Sequence, residues 1–332
     1  MENFLFIVLL SVLASAKVLI QAKSSRKIIT GTADSFFFNS CVFLVVALGA
    51  AFGLHGKIGS PVTVLLGSAF GIVSVVFQFA YNVAMKNGPV SLTNMSSNAS
   101  VILPVVFCMA AYGERPSLFG IAGLFCLFLS LVFVFVLPEI NKKRSAKNYE
   151  NPDGSNAVVD RKIDRQRSFE QKGNGFSGKW LVFLAVLFIS CGALNIIQKI
   201  HAHTSYKNEY FGFVYVAYVT ASFCSAAVSL CFYAISKLTK NLSLAQKTSL
   251  SFKPTVKTLF PAAAIGALLC AFQVLMQYAS GIIHGVVLFP VYNALVTVIV
   301  SLAGRLFFKD ELDKFRIIGV ALGLVASVLI AL

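Results

Sequence analysis

The sequence predicts an all-α membrane protein of ten transmembrane helices, built as two inverted five-helix repeats. Composition is the first reason. The chain is 57% hydrophobic and only 12% charged over 332 residues, with a mean hydropathy of +0.80. A soluble domain carries about 25% charged residues, so lipid must be the main solvent here. The second reason is a series of ten apolar runs near the ~20 residues that a helix needs to cross the hydrocarbon core. They are continuous and do not alternate polar with apolar, which excludes barrel strands. The third reason is internal repetition. Gly71, Phe77-Gln78, Asn82 and Ala84 recur at the same spacing as Gly266, Phe272-Gln273, Gln277 and Ala279. Each copy continues through a glycine, an apolar run, an acidic turn and a glycine-containing apolar helix, to Leu137 and Leu332.

The elements follow in order. The first predicted helix covers Phe4–Gln21; it has no basic segment before it and no small-residue cleavage site, so it reads as a retained span and not a signal peptide. The next are Ser35–Leu54, Val62–Met85 (after Pro61, which suits a first helical position), Val90–Tyr112 and Leu118–Leu137. Residues 1–137 thus form the first repeat. Residues 138–178 form a polar tract that holds Lys142, Lys143, Arg144, Lys147, Arg161, Lys162, Arg165 and Arg167. It lacks the apolar surface to fold alone and reads as a disordered basic cytoplasmic linker. Residues 179–332 form the second repeat, with helices over Trp180–Ile200, Phe211–Ile235, Val256–Ser280, Ile282–Phe307 and Phe315–Leu332.

The net charge of +15 lies in the connections. No basic stretch is interleaved with aromatic residues in a soluble module, so the basic partners are lipid headgroups and not nucleic acid. The basic connections follow the first, fifth, seventh and ninth helices, which places them in the cytoplasm and both termini outside. An odd number of helices per half then requires the repeats to be inverted. All seven cysteines sit inside apolar runs without a C-x-x-C pair, so neither a metal site nor a disulfide framework is expected. Phosphate-binding glycine loops and nucleotide motifs are absent, and no cofactor is expected. No Asp or Glu lies in the middle of an apolar run, which leaves no carboxylate pair for acid-base catalysis and no proton-trading carboxylate at depth.

Polar side chains at depth are costly unless they face protein or a wet cavity, so they mark the candidate site. Gln78 and Asn82 are four apart on one helix face, and Gln273 with Gln277 repeats that face. The fourth helix opens with a polar stretch that includes Asn94 and Asn98, and the ninth carries Tyr292 and Asn293 near Pro290. Pro290 frees a backbone carbonyl that can itself serve as a ligand group near the midplane. Lys17 is a cation well inside the first helix, and Lys199 holds a similar late place in the sixth, beside Asn195 and Gln198. The bland alternatives are glue between packed helices for the amides and snorkelling to the interface for the lysines. The functional alternative is a substrate-binding cavity, with the lysines as counter-ions for an anionic or zwitterionic substrate.

The acidic turns carry a resemblance. Gly113-Glu114-Arg115-Pro116-Ser117 after the fourth helix and Lys309-Asp310-Glu311-Leu312 after the ninth, within this ten-helix repeat, resemble the drug/metabolite transporter superfamily, specifically its EamA-type permeases. Lys199-Ile200-His201 also resembles bacterial members. The resemblance implies alternating access around a cavity walled by the third, fourth, eighth and ninth helices, with help from the first and sixth. It implies a small-molecule substrate and no enzymatic activity. It also implies cytoplasmic termini, opposite to the charge bias, so orientation stays open at this point. Multidrug members carry a helix-1 glutamate where this chain has Lys17, which disfavours cationic substrates. The expectation is therefore a plasma-membrane permease for a small polar metabolite, as a monomer or homodimer. The alternatives are a nucleotide-sugar or sugar-phosphate exchanger of an endomembrane, which a pair of cavity-facing cations would favour, and a membrane-embedded lipid-modifying enzyme.

Overall fold

The structure is a computed structural model and describes residues 2–27, 29, 31–54, 56, 58–88, 90–115, 117–133, 178–238, 256–308 and 314–331. The predicted linker lies outside these residues except for Gly178, as does the Lys309–Asp313 turn. The described residues hold eleven helices and no strand. They are α1 (Glu2–Lys27), α2 (Thr32–Ala51), α3 (Pro61–Asn87), α4 (Val90–Ala99), α5 (Ile102–Tyr112), α6 (Leu118–Leu131), α7 (Gly178–His203), α8 (Tyr210–Leu238), α9 (Val256–Ile282), α10 (Gly285–Phe308) and α11 (Lys314–Ala331). Seven of them, α1–α3 and α7–α10, are long and apolar enough to cross a membrane. The chain is thus a helical, multi-pass membrane protein, with side chains such as Phe52, Leu118 and Phe260 turned outward.

Local chemistry sets the helix ends. Ser60 caps α3 by accepting from the Thr63 amide at 3.3 Å, and Pro61 takes the first turn, where no N–H is needed. Ser117 caps α6 through the Gly120 amide at 3.0 Å. Gly113 ends α5 with a left-handed φ of 64°, which turns the chain back so that the Glu114 amide reaches the Cys108 carbonyl.

The predicted Val90–Tyr112 helix is two pieces, α4 and α5, parted at Ser100–Val101. Pro104 is the cause: it has no N–H to give the Ser100 carbonyl, and its ring crowds that group. The turn tightens, with the Ser100 amide and hydroxyl both on the Ser97 carbonyl, at 3.2 and 2.6 Å. Pro290 does not break α10. It lies early in that helix, so the carbonyl it frees, that of Val286, is near one end. The expected midplane ligand is not there.

The two halves interlock. α2 and α8 run antiparallel against each other. Ser229 Oγ donates to the Ala33 carbonyl at 3.0 Å, Ser40 and Ser222 exchange hydroxyl-to-carbonyl bonds at 3.1 Å, and Phe43 meets Tyr218 at 5.5 Å. Around this pair, α3 packs on α8 and α7, while α9 packs on α2 and α1. α1 rests on α10, and α7 rests on α4 and α5; α6 lies against α11. The repeat glycines carry two of these contacts. A Cβ on Gly71 would strike the Ala217 carbonyl of α8, and one on Gly266 would meet the Val42 carbonyl of α2 at 2.8 Å. Close backbone approach of this kind is how helices associate where lipid removes the hydrophobic drive.

Candidate functional site

A cavity of about 110 Å³ lies among α1–α4 and α7–α10. Its wall is built by helical spacing. From α3 come Ser74, Gln78 and Tyr81, and from α9 Leu269, Phe272 and Gln273. Asn94 and Ser97 come from α4, Asn195 and Gln198 from α7, and Tyr292 and Asn293 from α10. α1 adds Lys17, which stands over the Tyr81 ring at 5.5 Å from its centroid. Aromatic rings fill the remainder: Phe77 stacks on Tyr81 at 5.5 Å and Phe272 on Tyr292 at 5.4 Å.

Six residues singled out from the sequence therefore meet at one cavity: Lys17, Gln78, Asn94, Gln273, Tyr292 and Asn293. Asn82, Gln277 and Lys199 do not line it. The Asn98 side chain lies outside the described residues. Tyr81, Ser74, Ser97 and Tyr218 also line it, along with Asn195 and Gln198. Their signal was available: each of Ser74, Tyr81 and Ser97 is three or four residues from a singled-out amide, hence on the same face.

Asn82 and Gln277 each lie one turn beyond the cavity amide of their own helix, and each ties its helix to a neighbour. Asn82 accepts from Gln21 Nε2 at 2.8 Å and from Ser25 Oγ at 3.1 Å. It donates to Asn39 Oδ1 at 2.8 Å and to Ser35 Oγ at 3.2 Å. Every hydrogen-bonding site of this amide is filled, so it is glue. Gln277 Nε2 donates to His201 Nδ1 at 2.8 Å. The other ring nitrogen, His201 Nε2, faces Thr63 Oγ1 at 3.1 Å. Thr63 in turn donates to Glu209 Oε2, which also receives the Ser60 amide at 2.8 Å. Burial works against the Glu209 charge, but these donors outweigh it and hold its carboxyl below the usual carboxylate range.

Lys199 does not line the cavity. Its Nζ is 3.1 Å from Glu114 Oε1, and both side chains are almost wholly buried, at 3% and 7% exposure. It also donates to the Ser280 and Ile283 carbonyls, both at 3.2 Å, at the end of α9. Glu114 Oε2 accepts the Val286 amide in the first turn of α10 at 3.1 Å. One ion pair thus caps two helix ends, the cation on the carbonyl end and the anion on the amide end, as the helix dipoles require. Burial opposes the Glu114 charge; the Val286 amide, the Lys199 ammonium and His284 outweigh it and keep the carboxyl below its ordinary range. Lys17 and Lys199 therefore do not form a pair of cations facing one cavity, which removes the feature that favoured a nucleotide-sugar exchanger.

Among the described residues, no group of His, Cys, Asp and Glu could hold a metal ion. The charged residues that line the cavity reduce to one, Lys17.

No family model matches this chain, and no curated protein does. Solved structures do match in fold. One, described only as "Crystal structure of protein", superposes with a TM-score of 0.60 over 100% of this chain and 99% of its own, at 16% sequence identity. That similarity extends over both halves of the chain and concerns the fold alone.

Proposed function

We propose that this protein is a secondary active or facilitative permease that moves a small polar metabolite by alternating access, with the central cavity as its substrate site. In this reading α4 and α5 together, α6 and α11 also cross the membrane, which makes ten spans in two inverted repeats of the EamA type. The packing supports that count. Exchanging the halves maps α3 on α8 to α9 on α2, α3 on α7 to α9 on α1, and α1 on α10 to α7 on α4 and α5. The antiparallel α2–α8 pair lies on the exchange axis, as an inverted relationship demands.

The carrying observation is that one cavity takes Gln78 from the first half and Gln273 from the second, at matched repeat positions. A static scaffold has no use for that hollow, and a lipid enzyme needs a reactive cluster that the cavity wall lacks. The proposed setting is the plasma membrane, with the 138–178 tract in the cytoplasm. In support, Arg26 donates to the Gly88 carbonyl at 3.2 Å and Trp180 Nε1 to the Ala84 carbonyl at 3.3 Å. Lys23, Arg26, Lys86 and the exit of the basic tract thereby share one face.

The test is flux in proteoliposomes loaded with a metabolite mixture. Gln78→Leu and Gln273→Leu are expected to abolish the counterflow of the transported solute and to leave folded yield and apparent Tm within a few degrees of the parent. Full activity in both variants would overturn the assignment of the cavity as the transport site.

A further inference from the structure

The wall of this cavity has a chemical bias. Its single charge is the Lys17 ammonium, and the ion pairs among the described residues do not include it. No carboxylate lines the space. The buried amides are unbalanced in the same sense. Asn94 uses Oδ1 to accept the Tyr81 hydroxyl at 3.3 Å, and its Nδ2 has no partner among the described residues. Gln78 Nε2 and Gln198 Nε2 also lack partners, and all three side chains are at most 3% exposed. A buried donor without an acceptor is costly, and a buried charge without a counter-charge costs more. A ligand that offers acceptor oxygens and one negative charge relieves both at once.

Tyr81 brings the two demands to one place. Its ring carries Lys17, its hydroxyl holds Asn94, and Gln78 lies three residues before it on the same helix. Phe43, Phe70, Phe77 and Phe272 give the wall an aromatic part. Its volume of about 110 Å³ is below the ~150 Å³ of a cavity that holds benzene. Nothing on the wall offers an ammonium group a carboxylate partner.

We infer that the cavity binds a compact organic monocarboxylate, with its carboxylate at Lys17, Asn94 and Gln78 and its apolar tail among the phenylalanines. This rests on the reading of the same cavity as a substrate site, and it names the substrate class. It excludes cations, zwitterions and nucleotide-sized anions from the preferred ligands.

The experiment is equilibrium binding to the purified full-length protein in nanodiscs, read by thermal shift and calorimetry, with isosteric probes. Isobutyrate carries the charge and a compact tail; isobutyramide removes the charge, isobutylamine reverses it, and 2-aminoisobutyrate adds an ammonium. Isobutyrate is expected to raise the apparent Tm, and isobutyramide and isobutylamine to bind at least about tenfold more weakly, since a charge-assisted bond is lost. Lys17→Met is expected to lose isobutyrate binding and Lys17→Arg to retain part of it. Asn94→Leu is expected to weaken it without removing it, which keeps a variant in hand should Lys17→Met fail to fold. Equal binding of isobutyramide, tighter binding of 2-aminoisobutyrate, unchanged isobutyrate affinity in Lys17→Met, or no response to any probe would each overturn the inference. None of these requires flux. A protein that binds isobutyrate but moves no solute would instead refute the permease reading.

Discussion

Two polar clusters outside the cavity are held by different chemistry. The cluster at Asn82, between α1, α2 and α3, is neutral: one asparagine with two serines, a glutamine and a second asparagine. The cluster at Glu114, between α5, α7, α9 and α10, is an ion pair that also caps two helix ends. A neutral amide cluster can re-pair among its own members when helices slide, so its rearrangement is cheap. A buried ion pair has few alternatives and tends to be wholly made or wholly lost. The contrast predicts that the Glu114 cluster costs more to disrupt than the Asn82 cluster.

The contrast is breakable, and the largest effect is expected at the ionic cluster. Glu114→Gln leaves the Lys199 ammonium buried with carbonyls only, and a loss of about 3–5 kcal/mol is expected in chemical denaturation. Adding Lys199→Met to that variant is expected to recover most of the loss. A single-variant cost under about 1 kcal/mol would place the pair in the class of solvated ion pairs and erase the distinction.

Next in size is the neutral cluster. Asn82→Leu removes four hydrogen bonds but leaves partners that can re-pair, so about 1–3 kcal/mol is expected by the same measurement. If it matches or exceeds Glu114→Gln, the ordering of the two clusters is reversed.

The smallest effect, and the one that sharpens the comparison most, is its pH dependence. The Glu114 carboxyl is held below its ordinary value in the folded state. A depressed carboxyl contributes stability above the unfolded value near ~4.3 and loses it as pH falls through the lower folded value. Apparent Tm should therefore decline more steeply below about pH 4.3 in the parent than in Glu114→Gln. Asn82→Leu should keep the parent slope, since none of its partners titrates. Parallel pH profiles for the parent and Glu114→Gln would show that this carboxylate is not bound more tightly when folded.

Much of this molecule was legible in the chain. Gly71 and Gly266 stand at matched positions in the sequence, and each admits a neighbouring backbone carbonyl. Gln78 and Gln273 were found by the rule that polar groups at depth need a reason. The same rule could not separate Gln78 from Asn82 or Gln273 from Gln277. Residues four apart share a helix face, but that face is tall enough for one residue to reach a cavity while the next meets a neighbouring helix.

Pattern alone thus dictated helices and the membrane as solvent, because each follows from local periodicity and from the cost of placing charge or bare backbone in lipid. Partnership was set by the fold. Lys17 and Lys199 look alike along the chain, yet one stands over Tyr81 in a cavity and the other is bound to Glu114, 85 positions away in sequence. Electrostatic energy at depth depends on which groups lie within a few ångströms, and that distance is fixed only when α5, α7, α9 and α10 come together.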